Sequence, residues 1–124
     1  MNVAIIGGGA SGLVCAIKSA KKGNNVTIYE KNNKCGKKIL VTGNGKCNYF
    51  NEDFNINHYN SSNIDILSSV INDENKNKVL NFFESIGIVP KIVNGYYYPV
   101  TNQAITIKEA LINEAKICGV NFIY

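Results

Sequence analysis

Glycines near the N-terminus have a spacing that could bind a phosphate group. Gly7, Gly9 and Gly12 form the pattern Gly-x-Gly-x-x-Gly, with Ala10 and Ser11 between the last two. After a buried strand, the first glycine permits a tight turn, the second lets the backbone approach a pyrophosphate, and the third lets a helix pack closely. The free N–H groups and positive dipole end of that helix favour phosphates. The pattern predicts a dinucleotide-binding turn; the alternative is a strand-to-helix turn that binds nothing.

An acidic residue stands at the distance that this type of turn requires. Glu30 follows Gly12 by eighteen residues and ends the next apolar segment. A carboxylate at this place can accept hydrogen bonds from both hydroxyls of an adenosine ribose. It would also repel a 2′-phosphate, so we expect this site to disfavour NADP.

A second candidate segment, residues 36–48, combines closely spaced glycines, short hydrogen-bonding side chains and lysines. Glycines two residues apart let the backbone approach a flat or anionic group. The lysines supply positive charge, and Asn48 supplies a further amide. The alternative is a solvated loop, which this composition often produces. The candidate binding residues are Glu30 with its neighbour Lys31 and, in the two segments, Gly7, Gly9, Ala10, Ser11, Gly12, Lys37, Lys38, Thr42, Gly43, Asn44, Gly45, Lys46 and Cys47.

The elements that would position these residues form a βαβ unit. Residues 2–6 are nearly all apolar, which predicts a parallel strand buried on both faces. Leu13, Ile17 and Ala20 then recur at helical spacing, and residues 25–30 predict a second strand. The fold class is therefore α/β, with a Rossmann-like unit.

The rest of the chain predicts helices and a hairpin, with residues 49–100 as an insertion. Asn94-Gly95 is a strong signal for a two-residue hairpin turn. The predicted elements are a mostly irregular stretch over 31–63 with a short helical turn near 37–40, helices over 63–71 and 73–86 with Asp73 as N-cap of the second, hairpin strands over 88–93 and 96–100, and a strand over 120–124. Before that last strand we predict a helix that is capped by Thr101 or Asn102, has Ala104, Ile107, Leu111 and Ala115 on its inward face, and ends at Gly119.

Composition excludes several classes of protein. The 124 residues suffice for one domain, and no stretch approaches the ~20 apolar residues of a membrane span. The four cysteines have no Cys-x-x-Cys pairing, so we expect no metal site, reduced thiols and a cytoplasmic location. We expect Cys15 and Cys118 to lie in the core and His58, the single histidine, to be solvated.

The two glycine-containing segments together resemble a known family. Residues 7–12, Glu30-Lys31 and the block from Gly36 to Asn48 are similar to those of the HI0933-like (YhiN-type) family of NAD(P)/FAD-dependent oxidoreductases, and residues 95–101 resemble that family's Gly-Arg-x-Phe-Pro-x-Ser element. The resemblance covers essentially the whole chain. Two positions depart from it, because the family usually has arginine where this chain has Lys46 and Tyr96. Lysine keeps the charge but lacks a planar two-pronged donor, and tyrosine loses the charge.

The resemblance implies FAD with its pyrophosphate over residues 7–12, its ribose on Glu30, and residues 42–48 near the phosphates or the isoalloxazine. It implies NAD(P)H as electron donor. The acceptor would carry a conjugated double bond, in a small molecule or in a uridine of ribosomal RNA. No catalytic residue is assigned. Cys47 is either a redox partner of the flavin or a packing thiol, and the single thiol favours packing.

Three interpretations of the whole chain remain open at this point. The chain is the N-terminal part of an FAD-binding domain whose remainder and substrate domain lie beyond residue 124, an inactive nucleotide-binding fragment that needs a C-terminal partner, or an NAD-binding Rossmann module. Residues 1–46 hold eight lysines and one acidic residue, a net charge of +7. That charge suits an RNA partner, the phosphates of FAD or a solvated surface equally well.

Overall fold

The computed structural model describes residues 1–124 as two small sheets and four α-helices. The strands and helices are β1 (Asn2–Ile6), α1 (Ala10–Lys21), β2 (Asn25–Tyr29), β3 (Phe50–Asn51), α2 (Ile64–Val70), α3 (Asp73–Ser85), β4 (Pro90–Val93), β5 (Tyr96–Pro99), α4 (Ala104–Ile117) and β6 (Asn121–Ile123). The α/β class and the βαβ unit are confirmed.

The first sheet is parallel, with strand order β1-β2-β6. Val3 pairs with Val26, and Ile28 pairs with Phe122. Helices α1 and α4 pack against each other beside this sheet. The core between the helices and β2 is made of fully buried aliphatic residues, with Leu13, Ile17, Val26, Ile28, Ile107 and Leu111 at most 2% exposed.

The prediction that β1 is buried on both faces is wrong. Burial alternates along the strand, and Ile6 is 84% exposed. Because β1 is an edge strand and the helices cover one face of the sheet, the residues that point to the other face remain open. Tyr29 and Ile123 share that open face.

The second sheet is antiparallel, with order β3-β5-β4. The predicted hairpin is present, and its turn residues Asn94 and Gly95 both have left-handed backbone angles, as a type I′ turn requires. Phe50 of β3 packs edge-on against Tyr97 of β5, with ring centroids 5.5 Å apart. Aromatic cross-strand contacts of this kind stabilise a short ladder.

The stretch over 31–63 is more regular than predicted. It contains a 3₁₀ segment over Ile39–Gly45, the short strand β3 and a 3₁₀ turn over Ile56–His58. The expected helical turn near 37–40 begins two residues later, at Ile39, and the backbone then leaves helical geometry at Thr42, Gly43 and Asn44. Tertiary contacts with α4 hold this segment, and local sequence periodicity carries no information about such contacts.

Two predicted helix caps are wrong. Asn72, one residue before Asp73, caps α3, and its side-chain oxygen accepts a hydrogen bond from Asn75 N at 2.9 Å. Gln103 precedes α4 without a side-chain cap, while the Thr101 hydroxyl bonds the Thr106 hydroxyl at 2.7 Å. Thr101 and Asn102 therefore lie outside the helix, although its inward face is the predicted one.

The expectations for three polar or thiol residues have mixed outcomes. Cys15 is exposed on α1 and Cys118 is half-buried, so the prediction that both lie in the core is wrong. His58 is exposed as expected, and its Nε2 hydrogen-bonds Oδ2 of Asp53 at 2.7 Å. The longest helices are too short and too polar to cross a lipid bilayer.

Candidate functional site

The turn between β1 and α1 presents an uncapped helix N-terminus. Gly7 has a φ of +97°, which only glycine adopts readily, and Gly9 precedes the helix in an extended conformation. Leu13 N donates the first helical hydrogen bond, to Gly9 O at 2.9 Å. No side chain caps this end, and its first turn carries no acidic residue. The N–H groups and positive dipole end of α1 are therefore available to an anion.

The backbone around the turn distinguishes two of its glycines. A Cβ on Gly12 would lie 2.0 Å from the carbonyl oxygen of Gly7, so only glycine allows the helix to sit this close to the turn. A Cβ on Gly9 would meet nothing within 4 Å and would point into open space. Gly12 is needed for packing, while Gly9 leaves a free approach to the backbone.

Glu30 lies at the end of β2, directly beside the turn. Its Oε2 accepts a hydrogen bond from Gly8 N at 2.8 Å, and its Oε1 accepts from Asn32 N at 2.9 Å and from Asn32 Nδ2 at 2.6 Å. The backbone hydrogen bond from Asn32, then that from Gly8, lowers the pKa of this carboxyl below its ordinary value. A carboxylate has about four acceptor sites, so Oε2 can accept one further hydrogen bond from a ligand.

Residues 36–48 fold back across the glycine turn. Gly36 N donates to Gly8 O at 2.8 Å, which ties the segment to the turn from the other side. Gly36 has a φ of +72°, and a Cβ there would come 2.7 Å from Cγ of Lys108 on α4. The stem of Lys108, a residue only 8% exposed, thus supports the segment from beneath.

The second half of the segment is a tight coil with several left-handed residues. Gly43, Asn44, Gly45 and Cys47 all have φ values between +52° and +79°. The hydroxyl of Thr42 donates to Ile39 O at 2.7 Å, and Cys47 N donates to Thr42 O at 3.0 Å. These bonds fix Thr42 and Cys47 in place, and the left-handed φ values account for the glycines and Asn44 between them.

These elements together line one open cavity of about 950 Å³. It extends from Glu30 past the N-terminus of α1 to Tyr49 and Phe83. Of the predicted binding residues, the cavity lining includes Gly7, Gly9, Ala10, Ser11, Glu30, Lys31, Lys37, Lys38, Thr42 and Cys47. The predicted residues outside the lining are Gly12, Gly43, Asn44, Gly45 and Lys46; for these, cofactor contact stays a prediction.

Several lining residues were not among the predicted ones. They are Ile6, Gly8, Val14, Tyr29, Asn32, Gly36, Ile39, Tyr49, Phe83, Ile107 and Leu111. Most are apolar, and the sequence identifies Ile107 and Leu111 only as residues on the inward face of a helix. Asn48, which the sequence indicates as a further amide of the second segment, also lines the cavity, and Asn32 could have been found because it adjoins Lys31.

The charges around the cavity are mostly positive. Lys31, Lys37 and Lys38 line it as exposed cations, and Glu30 is its one acidic residue. Such a distribution attracts an anionic ligand while leaving one carboxylate for neutral hydroxyl groups.

The cysteine of the cavity is a poor nucleophile. Cys47 is 7% exposed, and its burial raises the pKa of its thiol, opposed by a hydrogen bond from Thr42. A neutral buried thiol packs and hydrogen-bonds but reacts slowly. Cys47 is the one cysteine among the lining residues of this cavity.

Comparisons with known proteins agree on the type of domain. The model of the HI0933-like protein Rossmann domain matches residues 1–124. The chain is 37% identical over 116 residues to the 3-dehydro-bile acid delta(4,6)-reductase of Clostridium scindens. The aligned region covers 92% of this chain and 28% of that protein. The chain is also 43% identical over 67 residues to the ribosomal RNA dihydrouridine synthase of Haemophilus influenzae, over 54% of this chain and 17% of that protein.

A solved structure has the same fold. THI4 of Thermovibrio ammonificans aligns with a TM-score of 0.63 at 21% identity, over 98% of this chain and 37% of its own. At that identity the likeness describes the fold alone. The chain spans less than a third of the length of the two curated relatives described above.

Proposed function

This chain belongs to the HI0933-like family, and we propose that its Rossmann domain binds FAD for an oxidoreductase reaction. The observation that carries the proposal is the single cavity that joins Glu30, the N-terminus of α1 and the segment around Thr42 and Cys47. FAD needs such a cleft, because its adenosine ribose requires a contact at one end and its isoalloxazine ring requires space on the far side of the phosphates.

Each part of the cavity has a binding task. The N–H groups after Gly9 face the pyrophosphate, and Lys37 and Lys38 add positive charge beside it. Oε2 of Glu30 accepts a hydrogen bond from the adenosine ribose, and the charge of Glu30 disfavours a 2′-phosphate. Residues 42–49 extend the cleft past the pyrophosphate, where Tyr49 offers an aromatic wall. When bound there, FAD supplies hydride transfer.

The donor and the acceptor belong to the proposal for the whole protein. We propose NAD(P)H as donor and an acceptor with a conjugated carbon–carbon double bond. The names of the two curated relatives, a bile-acid reductase and a uridine-modifying enzyme, support this acceptor class. Because the chain spans 28% of the first relative, we propose that the acceptor binds partly to residues outside these 124. We further propose that residues 49–100 are an insertion in the FAD domain.

We therefore propose that the 124-residue chain binds FAD but does not catalyse the oxidoreductase reaction by itself. Oxidation of NAD(P)H by the isolated chain at enzymatic rates would contradict this part of the proposal.

The lysines of the cavity provide a test with a matched control. Replacing Lys37 and Lys38 by alanine should weaken FAD binding about threefold to tenfold at low salt, because two exposed charges near the phosphates are lost. Replacing Lys91 and Lys116 removes the same charge at exposed sites outside the cavity. Equal affinity losses in the two double variants, measured by FAD titration, would mean that the phosphates bind elsewhere.

A further inference from the structure

A second cavity of about 590 Å³ adjoins the first, and Tyr49 lines both. Its lining is mainly aromatic: Phe50, Phe54, Tyr59 and Tyr96 contribute ring surfaces in addition to Tyr49. Phe50 is buried and stacks in a tilted arrangement on Phe54, with centroids 5.4 Å apart. Tyr59 and Tyr96 are each more than two-fifths exposed, so these two rings lie at the mouth.

The charges of this cavity differ from those of the first. No lysine lines it, and its one acidic residue, Asp53, is paired with His58 at 2.7 Å. A phosphate or carboxylate would find no counter-ion here and would face the carboxylate of Asp53. The cavity therefore disfavours an anionic ligand, whereas the neighbouring cleft favours one.

Two polar groups remain free to hydrogen-bond a ligand. His58 uses Nε2 to bond Asp53, and no protein group bonds its Nδ1. Asn51 uses its side-chain oxygen to accept a hydrogen bond from Asp53 N at 3.0 Å, which leaves its amide NH₂ as a donor. Aromatic faces with a few such polar groups are typical of sites for flat, uncharged molecules.

We propose that this second cavity binds a flat, uncharged ring that carries a carbonyl group, and that it is the acceptor subsite beside the cofactor cleft. The place of the subsite rests on the proposed FAD site, because Tyr49 is the wall that the two cavities share. The aromatic side chains stack on the ring, and the Asn51 amide NH₂ donates a hydrogen bond to the carbonyl.

The experiment uses coumarin, a flat, uncharged, conjugated lactone, and coumarin-3-carboxylate, the same ring with a negative charge. His58 is the only histidine in the chain, so its imidazole signals in ¹H–¹⁵N spectra need no assignment. Both probes are titrated into the 124-residue chain with and without FAD. FAD binding is measured on the same samples, so that its failure is recorded separately from failure of the second site.

The expected result is a saturable shift of the His58 signals with coumarin and at least about tenfold weaker binding of the carboxylate. Tyr59→Ala should weaken coumarin at least about fivefold by removing a stacking face, with FAD affinity unchanged. Tyr124 is an exposed tyrosine outside both cavities, so the control variant Tyr124→Ala should bind coumarin as tightly as the unmodified chain. No saturable shift, equal affinity for both probes, or equal binding by the Tyr59 variant would overturn the proposal.

Discussion

Replacing Gly9 with alanine should separate cofactor binding from folding. The added Cβ meets no atom within 4 Å, and the residue has an extended conformation that alanine adopts without strain. Alanine is a poorer N-cap than glycine, at a cost of up to about 1 kcal/mol. It also restricts the unfolded chain, which stabilises the folded state by about 0.4–1 kcal/mol. The two effects oppose each other, so the free energy of unfolding should change by no more than about 1 kcal/mol.

The same Cβ should block the pyrophosphate. It projects into the open space through which a phosphate would approach the N–H groups of α1. Loss of two charge-assisted hydrogen bonds at about 1.5 kcal/mol each gives about 3 kcal/mol, or roughly a hundredfold weaker binding. Titration of FAD followed by its fluorescence, beside urea unfolding of the cofactor-free chain, measures both quantities.

Gly12→Ala is the matched comparison, since it adds the same methyl group three residues later. Here the Cβ would lie 2.0 Å from Gly7 O, so the turn or the helix must move. We expect a loss of about 1–3 kcal/mol in the free energy of unfolding, as for other overpacked sites. The reasoning is refuted if Gly9→Ala binds FAD like the unmodified chain, or if it unfolds as easily as Gly12→Ala.

Three further predictions concern residues around the cavity. Hydrogen bonds lower the pKa of Glu30, so the stability that they provide is present above the ordinary pKa of 4.5 and is lost as the pH falls through the lower pKa of the folded state. In urea unfolding, Glu30→Gln should be less stable than the unmodified chain at pH 7, and the difference should shrink below pH 4.5. A difference that stays constant with pH would contradict this. Gly8→Ala should be destabilising because its Cβ would lie 2.1 Å from Cys35 Sγ, and Cys35→Ala should recover part of the loss in a double-mutant cycle, whereas strict additivity would rule out the contact. A thiol reagent should label Cys15 fast, and Cys35 and Cys47 only after unfolding, because burial shields both and raises the pKa of their thiols; rapid labelling of Cys47 in the folded chain, located by mass spectrometry, would contradict its burial.

The elements of the βαβ unit could be predicted because local patterns determine them. Helical spacing places Leu13 and Ile17 in the core, and the glycines at 23, 87 and 119 end helices in left-handed conformations. The Asn94-Gly95 turn is equally local. Such features depend on neighbours within a few residues, which the sequence displays directly.

The parts that could not be predicted depend on contacts between distant residues. Ile6 is apolar, and only the sheet order shows that it lies on an uncovered face of an edge strand. The 3₁₀ segment over Ile39–Gly45 is held against α4, about seventy residues further along the chain. The Asn72 cap shows a smaller limit, since Asn72 and Asp73 are both good N-cap residues and the pattern does not choose between them.

The candidate site divides in the same way. Glycine spacing and Glu30 identified the turn, because a motif with a physical requirement at each position can be read locally. Tyr49 and Phe83 gave no such signal, because a lining residue is defined by the cavity that the fold creates. The second cavity could likewise not be predicted from the sequence, because it forms where β3 meets a loop over residues 53–59.

The most direct test of the central claim compares FAD with NAD⁺ on the same protein. Equilibrium titration of the 124-residue chain, by calorimetry, gives both dissociation constants and the stoichiometry. The proposed site predicts one FAD per chain, bound more tightly than NAD⁺, with the flavin absorbance retained after gel filtration. Tighter binding of NAD⁺, or no FAD binding by a chain shown to be folded, would contradict it.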